Sequence, residues 1–252
     1  MSEIEPLWVD YHCHLDLYKD YEAQFRKCNE RRIATLAVTT TPRAWPRNKE
    51  LASGSKMVRV GLGIHPQLVG TNYRQELALF EQHLNETRYI GEIGLDAGPS
   101  HYKTYQNQKI VFEAVIKLCA QSKGKILSVH SVRADRDILC LLEKHLAGTD
   151  NRMVMHWFSG TASDLKKHVE IGCSFSVNQA MLVSEHGKAL IAAMPTQLIL
   201  TETDGPFIQT GPRPSLSMDV SQTTRVLGEL LRLSTDETQT LIRNNLTALE
   251  RL

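Results

Sequence analysis

An α/β fold, closed into a (β/α)8 TIM barrel, is what this 252-residue sequence predicts, on three observations. Strand-like apolar runs alternate with amphipathic, helix-period stretches from one end of the chain to the other. The runs number eight, which favours a closed ring over an open doubly wound sheet. Five short segments that hold chemistry each lie at or just beyond the downstream end of such a run. In a ring of parallel strands those ends meet at one mouth, so the barrel, regular or distorted, is expected to carry a metal site at the C-terminal mouth of its strands.

In chain order the strand-like runs cover residues 7–10, 33–39, 57–63, 89–95, 126–131, 152–158, 173–177 and 197–203. Amphipathic stretches stand between them, clearest at 102–121, 135–146, 162–171 and 184–193. Helices near 219–232 and 235–249 close the chain. The segment 205–217 carries three prolines and two glycines and reads as a loop over the mouth. No repeat, low-complexity tract or linker divides the sequence, so one domain over residues 1–252 is expected; about 250 residues is typical of such a barrel.

Hydrophobic content of 42% and charged content of 23% describe an ordinary globular chain. No stretch approaches the roughly 20 apolar residues that span a bilayer, so no membrane association is expected. The acidic start, Met-Ser-Glu-Ile-Glu, lacks a basic-then-apolar export pattern. Five scattered cysteines without a C-x-x-C read as reduced thiols of a cytoplasmic protein. A net charge of +1 excludes the strongly basic footprint of a tight, non-specific nucleic-acid binder. An enzyme that grips phosphates locally remains open.

His12 and His14 flank Cys13. In extended chain residues two apart point the same way, so both imidazoles share one side, as two nitrogen ligands of a divalent metal require. Ten histidines in 252 residues produce H-x-H by chance at about 0.4 per chain, so placement after a strand carries the reading. Glu92, in Tyr-Ile-Gly-Glu-Ile-Gly-Leu-Asp, is a carboxylate among apolar residues; burial requires that it be paired or bound to a cation. His130 and His156 end consecutive runs and suit a second metal, each with its other ring nitrogen fixed by an acceptor. Glu202 and Asp204 share one face in Leu-Thr-Glu-Thr-Asp-Gly-Pro. The last strand of a barrel lies beside the first, so this pair should approach His12 and His14. Asp204 then serves as a ligand and as the base that orients the attacking water, unless Asp-Gly-Pro is only a turn. His65 reads as a substrate contact or proton donor, and Arg133 as a phosphate clamp or an ordinary surface arginine. His83, His101, His145, His168 and His186 are expected to be solvated.

In this order the residues resemble the TatD family of metal-dependent deoxyribonucleases, a branch of the amidohydrolase-like barrels. The matching segments are Asp10-Tyr-His-Cys-His-Leu-Asp16, Gly61-Leu-Gly-Ile-His-Pro66, Gly91-Glu-Ile-Gly-Leu-Asp96, His130-Ser131, His156-Trp-Phe-Ser-Gly160 and Leu200-Thr-Glu-Thr-Asp-Gly-Pro206. Gln108 and Phe112 match a Q-x-x-x-F, and Asn244-Asn-Leu246 resembles the closing helix. The resemblance implies two divalent ions (Mg²⁺, Mn²⁺ or Zn²⁺): His12 and His14 on one, His130 and His156 on the other, Glu92 bridging, and Asp204 at the water. It implies Glu92 and Asp204 as catalytic, with His65, Arg133, Ser159 and Glu202 touching substrate or supporting ligands. The implied reaction is hydrolysis of a DNA phosphodiester by a two-metal-activated water, trimming from an end.

Three departures touch substrate grip. Where members of that family carry a stretch with arginine, lysine and asparagine, this chain has Gly211-Pro-Arg-Pro-Ser-Leu-Ser-Met218; His130-Ser-Val-Arg133 has one residue more than H-S-R, and Ala97 follows Asp96 where an aromatic is common. The divergence is similar to that of the TatD-like component of Qat-type antiphage systems, which implies a defence role beside protein partners. Two other classes stay open. One is an amide or ester hydrolase, although such barrels often carry a lysine where Glu92 stands. The other is a non-catalytic subunit of a defence complex.

Overall fold

The computed structural model describes residues 5–251; Met1–Ile4, where the acidic start begins, and Leu252 lie outside the described residues. In chain order the elements are β1 (Trp8–Cys13), α1 (Tyr21–Glu30), β2 (Ile33–Val38), α2 (Trp45–Leu51), β3 (Val58–Gly61), α3 (Tyr73–Leu84) and β4 (Tyr89–Asp96). There follow α4 (Tyr105–Ala120), β5 (Ile126–Val132), α5 (Asp135–Leu146), β6 (Arg152–His156), α6 (Ala162–Glu170) and β7 (Ser174–Val177). The chain ends with α7 (Gln179–Val183), α8 (Glu185–Ala193), β8 (Ile199–Thr201), β9 (Gln209–Thr210), β10 (Arg213–Pro214), α9 (Val220–Leu231) and α10 (Thr235–Glu250). No helix among the described residues is long and apolar enough to cross a membrane.

These elements fall into two compact units. The first takes residues up to Ala37, Arg47–Val60 and Phe175–Arg251; the second takes Val38–Pro46 and Gly61–Ser174.

In the first unit β1 pairs with β2 in parallel, from Trp8 opposite Ile33 to Cys13 opposite Ala37. β7 pairs likewise with β8, from Phe175 opposite Ile199 to Val177 opposite Thr201. β1 also runs beside β8, so first and last principal strands are neighbours as expected. The Thr201 hydroxyl donates to the Val9 carbonyl at 2.6 Å, and the Asp204 amide donates to the His12 carbonyl at 2.9 Å. Thr203 donates to the Asp10 carboxylate through its amide (2.8 Å) and its hydroxyl (2.7 Å). Helices α9 and α10 pack on these strands, burying Val220, Leu227, Ile242 and Leu246. The Ser234 hydroxyl and Glu237 carboxylate form a reciprocal cap that starts α10. The proline-rich loop after β8 is not featureless: β9 and β10 make a short antiparallel hairpin within it.

In the second unit β4, β5 and β6 lie side by side in parallel, from Tyr89 opposite Ile126 and from Ile126 opposite Arg152. Leu62 bridges Ile90 in parallel on the other side. Every residue of β4 after Tyr89 is buried. Both faces of the sheet are therefore covered, as crossover helices require. Helices α3, α4, α5 and α6 pack in sequence, and Val111, Phe112, Val115, Ile116 and Cys119 of α4 form the apolar face expected of its period. One expectation fails here. His168 is not solvated but fully buried on α6, because it lies three residues from buried Leu165 and so shares its inward face.

Candidate functional site

The first unit gathers His12, His14, Glu202 and Asp204 where β1 and β8 run out. β1 extends further than its apolar residues indicate, so His12 sits on the strand itself. The pairing register slips between Asp10 and Cys13, at the point where the histidines are presented. The Nε2 atoms of His12 and His14 stand 3.3 Å apart and lie 3.7 and 3.6 Å from Asp204 Oδ1. Asp204 holds a left-handed backbone (φ 47°) that β-strand residues avoid, which turns its carboxylate back toward the pair. Glu202 is wholly buried and accepts hydrogen bonds from the Ser176 hydroxyl and from Asn178 Nδ2, the latter at 2.8 Å. Burial pushes the Asp10 carboxyl up to about 7 against the hydrogen bonds from Ser217 and Thr203.

The second unit gathers His65, Glu92, Asp96, His130 and His156. Glu92 lies in the middle of β4, at the slip in register between Ile90 and Ile93, and only 1% of it is exposed. Its Oε1 meets three imidazole nitrogens: His130 Nδ1 at 2.7 Å, His65 Nε2 at 3.2 Å and His156 Nε2 at 3.3 Å. Four residues on, and on the same strand face, Asp96 accepts from Gln67 Nε2 at 2.8 Å and from the Gly98 amide at 2.7 Å. Burial alone would raise Asp96, yet the hydrogen bonds from His130, Gln67 and Gly98 hold it below the usual carboxylate range. Burial likewise opposes charge on His130, but hydrogen bonds to Asp96 and Glu92 outweigh it and raise its pKa.

Both donor sets fit a divalent cation. Nitrogens bound to one ion at about 2.1 Å stand roughly 3.0–3.4 Å apart, and the His12–His14 separation of 3.3 Å matches. In the second unit ionised Asp96 can only accept, so His130 Nε2 carries the proton and a neutral ring turns a lone pair toward Glu92 Oε1. Two lone pairs at 2.7 Å require a second proton or a cation between them. Histidine nitrogen with carboxylate oxygen suits zinc, manganese or magnesium without choosing sharply.

Of the sequence-assigned residues, His12, His14, Glu202 and Asp204 come together in one unit, and His65, Glu92, His130 and His156 in the other. His65 stands among the possible ligands rather than apart from them. Arg133 is exposed where β5 ends, at φ 53°, and Ser159 is exposed after β6. The motifs contain Asp96 and Gln108 without marking them as site residues, and nothing in the sequence marks Gln67. Asp96 was discoverable, since even spacing from Glu92 on a strand gives one face. Gln108 binds the Asp96 amide through Oε1 at 2.8 Å, which follows from the Q-x-x-x-F resemblance only after the fold is known.

A family model described as "TatD related DNase" matches residues 9–251. The Schizosaccharomyces pombe protein "Deoxyribonuclease Tat-D" is 31% identical over 123 residues, 49% of this chain and 39% of that protein. The chain thus spans well under two thirds of that relative. The Mycobacterium tuberculosis protein "Uncharacterized metal-dependent hydrolase TatD" is 25% identical over 94% of this chain and 95% of its own length. Among solved structures, YJJV, a TatD homologue from Escherichia coli, superposes with a TM-score of 0.85 at 24% identity, covering 96% of this chain and 97% of that one. That likeness shows the fold, an α/β barrel of the TIM type. The family match takes in both histidine-carboxylate clusters, each of which falls at motifs quoted above, and the chain belongs to the TatD-related DNase family.

Proposed function

We propose that this chain is a metal-dependent phosphodiesterase that hydrolyses DNA, trimming it from an end, with two divalent ions. His12, His14 and Asp204 would hold one ion, and Glu92, His130 and His156 the other, with His65 beside them. A bound divalent ion supplies Lewis-acid polarisation of a phosphoryl oxygen and a lowered pKa for water. The chain's own residues do the rest. Asp204, the most exposed carboxylate of its cluster, orients the attacking water and takes its proton. Asp96 holds the His130 ring in one orientation, and Ser176 and Asn178 hold Glu202. The observation that carries the reading is Glu92 Oε1, one buried carboxylate oxygen facing three imidazoles. Such a cluster has little structural purpose without a cation.

The chain acts, in this reading, as one domain and in the cytoplasm. Each compact unit is assembled from separated stretches of sequence, so neither is a continuous segment that folds by excision. The test is purified protein against end-labelled single- and double-stranded DNA, RNA and an aryl ester, with Mg²⁺, Mn²⁺ or Zn²⁺ and with EDTA. Shortening of DNA from an end, stopped by EDTA and restored by metal, is expected. Ester hydrolysis without DNA cleavage would support the amide or ester hydrolase, and activity indifferent to chelator would overturn the metal assignment.

The departures at 211–218 and after Asp96 support a further reading, that the hydrolase serves antiphage defence beside protein partners. Plaque counts on cells carrying the neighbouring genes, with and without Asp204→Asn, test it. Equal protection by the variant would leave only the non-catalytic role.

A further inference from the structure

We propose that Phe207 is a stacking platform for a nucleobase beside the scissile phosphate, an assignment that rests on the phosphodiesterase reading. Phe207 lies three residues after Asp204, and its ring meets His14 edge to face, with centroids 5.0 Å apart and planes at 87°. It is nonetheless 59% exposed, while its neighbour Ile208 is 7% exposed. An apolar ring left in water at the edge of a polar cluster has surface to offer a ligand. A nucleobase is the part of DNA with a matching flat face.

The ring stands on a rigid support. The Phe207 amide donates to the Asp204 carbonyl at 2.9 Å, the His14 amide to the Gly205 carbonyl at 2.8 Å, and the Ser215 amide to the Ile208 carbonyl at 2.8 Å. The Tyr18 hydroxyl donates to the Ser215 carbonyl. Gly205 is packed so closely that a Cβ there would stand 2.4 Å from the Ser215 carbonyl oxygen. A platform fixed in advance loses little entropy on binding. Stacking reads no sequence, which suits an enzyme that must accept each new terminal base as it trims.

The experiment measures binding of a short, single-stranded phosphorothioate oligonucleotide in Mg²⁺, so that cleavage does not interfere. Oligonucleotides carry a normal or an abasic nucleotide at the 3′ or the 5′ end. Wild-type protein is expected to prefer a normal base at one end by roughly 5- to 100-fold. Phe207→Ala should lose that preference, and Phe207→Trp should keep it. Full preference in Phe207→Ala, or its loss in Phe207→Trp, would overturn the proposal, the latter pointing to a structural prop for His14. Absence of any base preference in the wild type would overturn it too. Failure of the wild type to cleave DNA with any metal is a separate result: it removes the hydrolase reading, whereas base-dependent binding through Phe207 is read without turnover.

Discussion

Asp96 Oδ2 stands 3.3 Å from His130 Nε2, and that contact decides which ring nitrogen faces Glu92. The same ring presents Nδ1 to Glu92 Oε1 at 2.7 Å, whereas His65 and His156 present Nε2. Asp96 is itself fixed by Gln67 and the Gly98 amide, so the orientation is imposed from outside the ring.

Asp96→Asn keeps the size of the side chain but removes the charge that holds the Nε2 proton. Metal affinity is expected to fall about 10- to 100-fold, the usual effect of losing a partner behind a metal-binding histidine. Calorimetric titration with Mn²⁺ or Zn²⁺ checks this, with circular dichroism unchanged. Wild-type affinity in the variant would show that Asp96 does not orient the ring.

Close approach of backbones makes a second prediction. Gly94 has φ 144°, and a Cβ on it would lie 2.1 Å from the His130 carbonyl oxygen. Gly94→Ala meets both a disfavoured backbone angle and a collision between β4 and β5. The cost is expected to be about 2–5 kcal/mol. In a chain of this size that lowers the melting temperature by about 5–15 °C, measurable by calorimetry.

Strands were the most legible part of the fold, because buried parallel strands are continuous apolar runs and their flanking helices keep a 3.6-residue period. The boundaries failed where chemistry interrupts the pattern. β1 continues through Tyr11, His12 and Cys13, whose polarity hides it from an apolar reading. β8 shrinks to Ile199–Thr201, and the chain turns soon after it, at Asp204, whose backbone is left-handed (φ 47°). Helix α1 carries little apolar character, which hides it from a reading by period. The histidines and acids at strand ends were legible by type and place. Their supports were not: Ser176 and Asn178 reach Glu202 across more than twenty residues, a relation that only the folded chain creates.

Buried His168 predicts a pH dependence of stability. Burial lowers its pKa from 6.5 to about 4; Asp164 pulls the other way, and Asp135 Oδ1, Cys173 Sγ and the Phe158 ring also face it. Between those two values the unfolded chain binds the proton and the folded chain does not. Its contribution is therefore complete above pH 6.5 and declines as pH falls toward 4. From pH 7 to pH 5 the loss is about 2 kcal/mol. Urea unfolding at both values measures it, and in His168→Leu this part of the slope should vanish. An unchanged slope would mean that His168 keeps its ordinary pKa in the folded protein.

Asp204→Asn and His12→Ala separate chemistry from folding in the first unit. Asparagine tolerates the left-handed backbone at position 204, and its backbone amide can still donate a hydrogen bond to the His12 carbonyl, so the turn after β8 should survive. It cannot take a proton from water. If Asp204 is the base, the turnover number should fall about 10²- to 10⁴-fold with little change in substrate binding. His12→Ala removes one nitrogen of the 3.3 Å pair, so its defect should appear first as weaker metal affinity. Excess metal would then recover part of its activity, whereas Asp204→Asn should stay inactive at any metal concentration. Recovery of both variants by added metal would make Asp204 a ligand alone and move the base to another residue. Full activity in both without added metal would remove the first cluster from the reaction.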